Sequence, residues 1–147
     1  MRILLDTNIL VRAAQRSHPA SRTAADAVKR LHRKQYALCV APQNVIEFWN
    51  VCTRPREVNG LGLSVSATNR YAGRLERICT VLADSIESYR EWRKLVAQHS
   101  VVGAKVHDAR LVATMKVHEI EQILTFNVQD FARYSGITAV HPNTLNP

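Results

Sequence analysis

The feature that most constrains the fold is a set of short apolar runs, each too short for a helix, spaced between longer stretches of helical period. They are "RILL" (2–5), "YALCVA" (36–41), "CTVLA" (79–83), "QILTF" (122–126) and "ITAVHP" (137–142). Such runs read as buried strands. Between them apolar residues recur at spacings of three and four. Ala24, Ala27, Val28 and Leu31 form one stripe within 20–34, and Lys29, Arg30, Arg33 and Lys34 lie elsewhere. Parallel strands need crossovers of a dozen or more residues, and helices supply them. The expectation is an α/β layered domain, one domain over 1–147, with a mostly parallel sheet of four or five strands flanked by helices. A chain of 147 residues buries roughly 68–70% of its unfolded surface and holds a core without staples.

The boundaries follow from turn and cap residues. A helix is expected from Thr7 to about Gln15, then a break at Ser17-His18-Pro19 and a helix over 20–34. Pro42 opens a helix running to about Thr53. "RPREVNGLGLS" (54–64) is a loop, and Ser66 caps a helix from 67 to about 78. Ser85 caps the next helix, with Ile86, Tyr89, Leu95 and Val96 facing in and Arg90, Arg93 and Lys94 facing out. Residues 101–106 connect to a helix from Asp108 to about His118, and a short helix lies near 128–134.

Composition narrows the partners. Twenty Lys and Arg against twelve Asp and Glu give a formal charge of +8. Such a balance favours a polyanion, with nucleic acid the first candidate. The apolar runs are too short to span a membrane, and the N-terminus lacks the pattern of a signal peptide. A soluble, cytoplasmic protein is expected. Cys39, Cys52 and Cys79 form no CxxC pair and no Cys/His cluster, so packing in a reducing compartment is expected.

The acids carry the functional signal. Most lie beside basic residues on polar helix faces. Asp6 instead follows directly from the buried first strand in "LLDTNIL", although a helix cap also accounts for it. Glu47 lies in "NVIEFWNV", on a helix expected to be buried on most sides, and shares a stripe with Gln43, Asn50 and Arg54. Periodicity leaves open whether that stripe faces water or a polar cleft. Asp108 opens "DARLVATM", where capping is the ordinary role. Asn127 and Asp130 follow the fourth strand, and either suits a cap. In open α/β sheets ligands bind beyond the carboxyl ends of the strands. Carboxylates gathered there repel one another unless a cation neutralises them. An all-oxygen set suits Mg²⁺ or Mn²⁺ rather than zinc, and such ions promote phosphodiester hydrolysis.

These segments resemble a PIN-domain ribonuclease, most closely the VapC-type toxin of a type II toxin–antitoxin pair. "LLDTNIL" (4–10) resembles the family's opening motif, "NVIEFWNV" (44–51) its second-acid helix and "VHDARLVATM" (106–115) its third-acid helix. "ILTFNVQDFARYSGITAVHP" (123–142) resembles its closing strand and sequel. The resemblance implies a PIN-like three-layer domain and Mg²⁺- or Mn²⁺-dependent hydrolysis of RNA, giving a 5′-phosphate and a 3′-hydroxyl. Asp6, Glu47 and Asp108 fall on the acidic metal ligands. Asn127 falls on a fourth catalytic position that is Asp in many relatives, which weakens the pull on a second ion. Thr7, Asn8, Thr125 and Asp130 fall on supporting positions. Arg54, Lys105 and Arg110 are candidate RNA contacts. The resemblance also implies a small antitoxin partner and a homodimer, with "SATNRYAGRLERI" (66–78) as one surface for either contact.

Rival chemistries lack residues. A haloacid-dehalogenase-type phosphatase needs a second Asp where Asn8 stands, and a receiver domain needs an acidic pair at the first strand. "NGLGLS" lacks the lysine and spacing of a phosphate loop. The alternative from another class is a catalytically weak PIN-fold module that binds RNA or acts as a scaffold.

Overall fold

The computed structural model describes residues 1–145. Five strands, β1 (Arg2–Leu5), β2 (Ala37–Val40), β3 (Thr80–Val81), β4 (Gln122–Leu124) and β5 (Thr138–Val140), form one sheet. Their order is β3-β2-β1-β4-β5, and every pairing is parallel. Six helices flank it: α1 (Thr7–Ala14), α2 (Ser21–Arg33), α3 (Pro42–Thr53), α4 (Val65–Ile78), α5 (Ile86–Gln98) and α6 (Lys105–Val117).

The alternation of side chains along β1 divides the core into two. Ile3 and Leu5 pack with Ile9, Ala24, Leu31 and Phe48 from α1, α2 and α3. Leu4, between them, faces the other way into Leu95, Ala109, Val112 and Met115 from α5 and α6. Each fully buried Leu or Ile contributes about 1.5–3 kcal/mol of transfer free energy. Both faces are covered, as an all-parallel sheet requires, and this makes three layers. After β1 the chain builds outward through β2 and β3, then crosses back to place β4 on the other side of β1. The reversal between β1 and β4 is the position where such sheets form a crevice.

Several boundaries depart from the sequence expectations. Ser64, not Ser66, caps α4, accepting the Ala67 N–H at 3.0 Å. The third strand shrinks to two exposed residues, because β3 is an edge strand with one neighbour. Ile86 and Tyr89 on α5 are 55% and 54% exposed rather than inward; Ser88 and Leu95 occupy the packed face. Ile46 is 64% exposed, so α3 is not buried on most sides. α6 begins three residues before Asp108, which therefore lies in its first turn and is not its cap. The segment after β4 is a 3-10 turn, Val128–Phe131, shorter than the expected helix.

Cys39, Cys52 and Cys79 are free and buried. Burial pushes the Cys52 thiol up to about 11 and Cys79 to about 12, which suppresses the reactive thiolate. No helix among the described residues is long and apolar enough to cross a membrane.

Candidate active site

The carboxyl edge of the sheet opens into a cleft of about 410 Å³. Asp6, Glu47, Asp108, and the pair Asn127 and Asp130 line it from four separate segments, together with Thr7, Asn8 and Arg54. Four carboxylates in one small cleft form a strongly electronegative centre in a chain of net positive charge.

Asp6 is fixed at the end of β1. Its backbone N–H continues the β1–β4 pairing by donating to the Leu124 carbonyl at 3.0 Å. One carboxylate oxygen accepts the Thr7 N–H at 2.7 Å, making Asp6 the N-cap of α1. The other accepts the Thr125 hydroxyl at 2.7 Å and the Asn8 amide at 3.2 Å. A helix cap and a cleft-lining acid are thus one residue. Burial pushes its carboxyl above the ordinary value; the Thr125 and Thr7 hydrogen bonds oppose that, and the Glu47 and Asp130 charges add to it.

Asn8 and Thr125 hold that end together. Asn8 also donates to the Thr125 hydroxyl at 3.2 Å and accepts the Phe126 N–H at 3.2 Å. Asn127 is exposed, and its N–H donates to the Thr125 hydroxyl at 3.0 Å. Its side chain does not cap the 3-10 turn.

Glu47 is turned toward Asp6 by its helix. One oxygen accepts the Thr7 hydroxyl at 2.7 Å, and the other accepts the Gln43 amide at 2.8 Å. Gln43 also donates to the His107 carbonyl at 3.0 Å, tying α3 to the first turn of α6. Asn44 completes the corner: it accepts the Ala41 N–H at 2.8 Å and donates to the Thr7 hydroxyl at 3.2 Å. The polar stripe of α3 faces this cleft through Gln43, Glu47 and Arg54, whereas Asn50 is exposed.

Asp108 is half-buried, and its carboxyl rises to about 6. Burial is the main cause, followed by the Asp130 and Asp6 charges, with Lys105 opposing. Lys105 donates to Asp130 at 2.6 Å and stands 3.9 Å from Asp108. Its ammonium is raised, first by the Asp130 hydrogen bond. Arg110, by contrast, does not line the cleft. It pairs with Asp84 at 3.3 Å beside a separate groove that includes Tyr89 and Trp92. His107 is exposed and lines that second groove.

The donor set is all oxygen, which suits a hard divalent cation. Burial first and the charge of neighbouring acids second disfavour the charged forms of Asp6 and Asp108, and a bound cation would offset both. The buried Gln43 Oε1, which has no hydrogen-bond partner among the described residues, adds a further oxygen on the Glu47 side. Even so, among the described residues no three His, Cys, Asp or Glu side chains stand at the spacing of a finished metal-binding group. The acids share a cleft and sense one another's charge, but they are not drawn together.

Sequence reasoning passed over Asn44 and Arg12. Asn44 is fully buried, and its position three residues after Ala41, at the third residue of a helix opened by Pro42, was the available signal. Arg12 lines the cleft from α1. Its place one helical turn beyond Asn8, on the same face, was the corresponding clue.

No curated protein matches the chain. Solved structures do. A chain of VapBC2 from Rickettsia felis, bound to a fragment of promoter DNA, superposes with a TM-score of 0.71 at 13% identity, covering 96% of this chain and 98% of that one. VapBC-1 from nontypeable Haemophilus influenzae gives 0.69 at 15% identity, covering 97% and 99%. VapC20 from Mycobacterium tuberculosis, a toxin that cleaves the sarcin–ricin loop, gives 0.63 at 18% identity, covering 92% and 98%. At these identities the likeness establishes the fold. The family itself is established by the PIN domain model, which matches residues 3–137. With its five-stranded parallel sheet and acid-lined crevice, this chain belongs to the PIN domain family.

Proposed function

We propose that this chain is an endoribonuclease that uses Mg²⁺ or Mn²⁺, acting in the cytoplasm as the toxin of a toxin–antitoxin pair. The observation that carries the proposal is the convergence of Asp6, Glu47, Asp108 and Asp130 on one cleft of a PIN domain. Asp6, Glu47 and Asp108 would hold the ion. When bound, the ion supplies Lewis acidity beside the phosphodiester and screens the acids from the substrate's own negative charge.

The chain's residues do the positioning. Thr125 and Asn8 fix Asp6 through its second oxygen. Thr7 and Gln43 fix both oxygens of Glu47, so that acid presents its remaining lone pairs in one direction. Arg54 lines the same cleft as the acids and is placed to bind a phosphate oxygen. Water attacks the phosphorus, the bond to the 3′-oxygen breaks, and the products carry a 5′-phosphate and a 3′-hydroxyl. Asn127 takes the fourth position as an amide, which brings no charge to a second ion.

An antitoxin partner is supported by the neighbours, which include toxin–antitoxin complexes. A homodimer is the assembly we propose with it.

The test is incubation of purified protein with mixed structured RNA in Mg²⁺, Mn²⁺ or EDTA, alongside Asp108→Asn. We expect cleavage with either metal, none in EDTA and none by the variant, with 5′-phosphate ends. RNA that is bound but not cut under every metal would favour the scaffold alternative, to which the Asn127 amide also lends itself.

A further inference from the structure

A second groove of about 700 Å³ runs between α1, the end of α3, the loop that follows it and α4. Arg12, Arg16, His18 and Arg56 line it, and among the described residues no Asp or Glu does. Val11, Arg12, Val51 and Asn59 line both this groove and the acidic cleft, so the two adjoin. The acids line the cleft, with Arg12 and Arg54 among them, and the adjoining groove carries Arg12, Arg16, His18 and Arg56.

Its loop wall is held in place. Leu61 and Leu63 donate backbone N–H bonds to the Val51 and Cys52 carbonyls at 2.9 and 2.8 Å, folding the loop back on the end of α3. Gly62 donates to the Arg54 carbonyl at 2.9 Å. A Cβ on Gly60 would stand 1.8 Å from that same carbonyl oxygen, so the loop requires glycine there. Arg54 and Arg56 are thereby carried on a fixed backbone, each bonding a loop carbonyl, of Asn59 and Leu61.

We propose that this basic groove is the track for the single-stranded RNA backbone on one side of the cleaved bond. The proposal rests on the ribonuclease function given above and names how that substrate is held. A phosphodiester drawn into a cleft of carboxylates is repelled by them, and its neighbouring phosphates need cations outside the cleft. The groove is a cation-lined exit from the cleft, and guanidinium groups bind phosphate oxygens in pairs. Leu61 and Leu63 line it beside the arginines and offer apolar surface to base faces. Continuity with the acids favours RNA over an acidic peptide, because a strand crossing the cleft must leave through an end of it.

The test is binding of a labelled single-stranded RNA to the full chain in EDTA, as a function of salt. The protein variants are Arg16→Gln/Arg56→Gln and, on the opposite side of the sheet, Arg90→Gln/Arg93→Gln. All four arginines are exposed, and thermal unfolding checks that each variant folds. We expect the groove pair to weaken binding by about tenfold and to flatten the log–log salt slope by roughly 1.4, two phosphate contacts at about 0.7 each. The α5 pair should change affinity by less than about twofold, since those charges lie away from the strand. Equal effects of the two pairs would overturn the track, as would full binding and slope in the groove pair; the groove would then be left to an acidic protein partner. Wild-type protein that cuts RNA while the groove pair binds it normally sinks this inference alone. Wild-type protein that binds no RNA at low salt overturns the track; if the same protein still cuts RNA with Mn²⁺ the ribonuclease function stands, and if it does not, both fall.

Discussion

The two walls of the cleft are built differently. On one wall Asp6 and Glu47 are locked by Thr7, Asn8, Gln43, Asn44 and Thr125, in a network that joins β1, α1, α3 and the end of β4. On the other, Lys105 is the only side chain that holds Asp108 and Asp130 among the described residues, and it is 49% exposed. A buried hydrogen bond to a charged group contributes roughly 1.5–3 kcal/mol, whereas an exposed ion pair contributes about 0–1 kcal/mol. The first wall is therefore a fixed frame and the second is adjustable. This accounts for acids that share a cleft without forming a finished metal-ligand set. If Asp6, Glu47 and Asp108 hold an ion as proposed, the Asp6–Glu47 side would offer preset oxygens, and Lys105 supplies a positive charge beside Asp108 and Asp130.

The contrast can be broken most severely at the frame. Asp6→Asn keeps the shape and the cap but removes the charge. Cleavage should fall by more than the roughly 10–100-fold that loss of an outer supporting residue costs, measured as initial rate with Mn²⁺, while circular dichroism stays unchanged. Next comes Thr125→Val, which removes the hydroxyl bonded to Asp6. We expect a loss of about 1.5–3 kcal/mol in urea unfolding and about 10–100-fold weaker Mn²⁺ affinity. If Thr125→Val were neutral in both, the frame would not be rigid for the reason given.

The adjustable wall yields smaller effects with a distinct pH signature. The Asp108 carboxyl is raised from 3.8 to about 6, so the metal-free folded state binds its proton more tightly than the unfolded chain does. The stability linked to it is fully present below about pH 4 and is lost as the pH climbs through about 6. Asp108→Asn should then stabilise the metal-free protein at pH 7 by roughly 1–2 kcal/mol, less than the full shift implies because the group keeps contact with water. Denaturation in EDTA between pH 4 and pH 8 checks this; Asp6, also raised, leaves the variant's curve shallower but not flat. Smallest of all, Lys105→Gln should leave the urea unfolding midpoint nearly unchanged, since its ion pairs are solvent-screened, and tighten Mn²⁺ binding, because a competing cation is gone.

The same contrast governs how much the sequence discloses. The sheet and the Asp6 end of the first wall were legible because a short apolar run and an acid leaving it are local signals: Ile3, Leu4 and Leu5 announce β1, and Asp6 follows them; Asn44, set by its contacts with Ala41 and Thr7, was not. The start of α6 was not legible. Ala104 caps it without a side-chain bond, so Asp108 stood out as the better cap by rule. Ile86 and Tyr89 have the right chemistry for a core, yet only the packing of α5 against α6 decides that Ser88 and Leu95 face in. Arg110 lies two residues from Asp108, and its pairing with Asp84, distant in sequence, turns it away from the cleft. Side-chain direction one or two residues from a known acid is set by tertiary partners, which spacing does not record.

The most direct measurement is calorimetric titration of Mn²⁺ into wild-type protein and into Asp108→Asn at neutral pH. The account predicts binding to the wild type, linked to proton release as the raised carboxyls ionise, and binding weakened by at least about tenfold in the variant. Equal Mn²⁺ binding by both proteins, or none by either, would contradict the claim that this cleft gathers its acids for an ion.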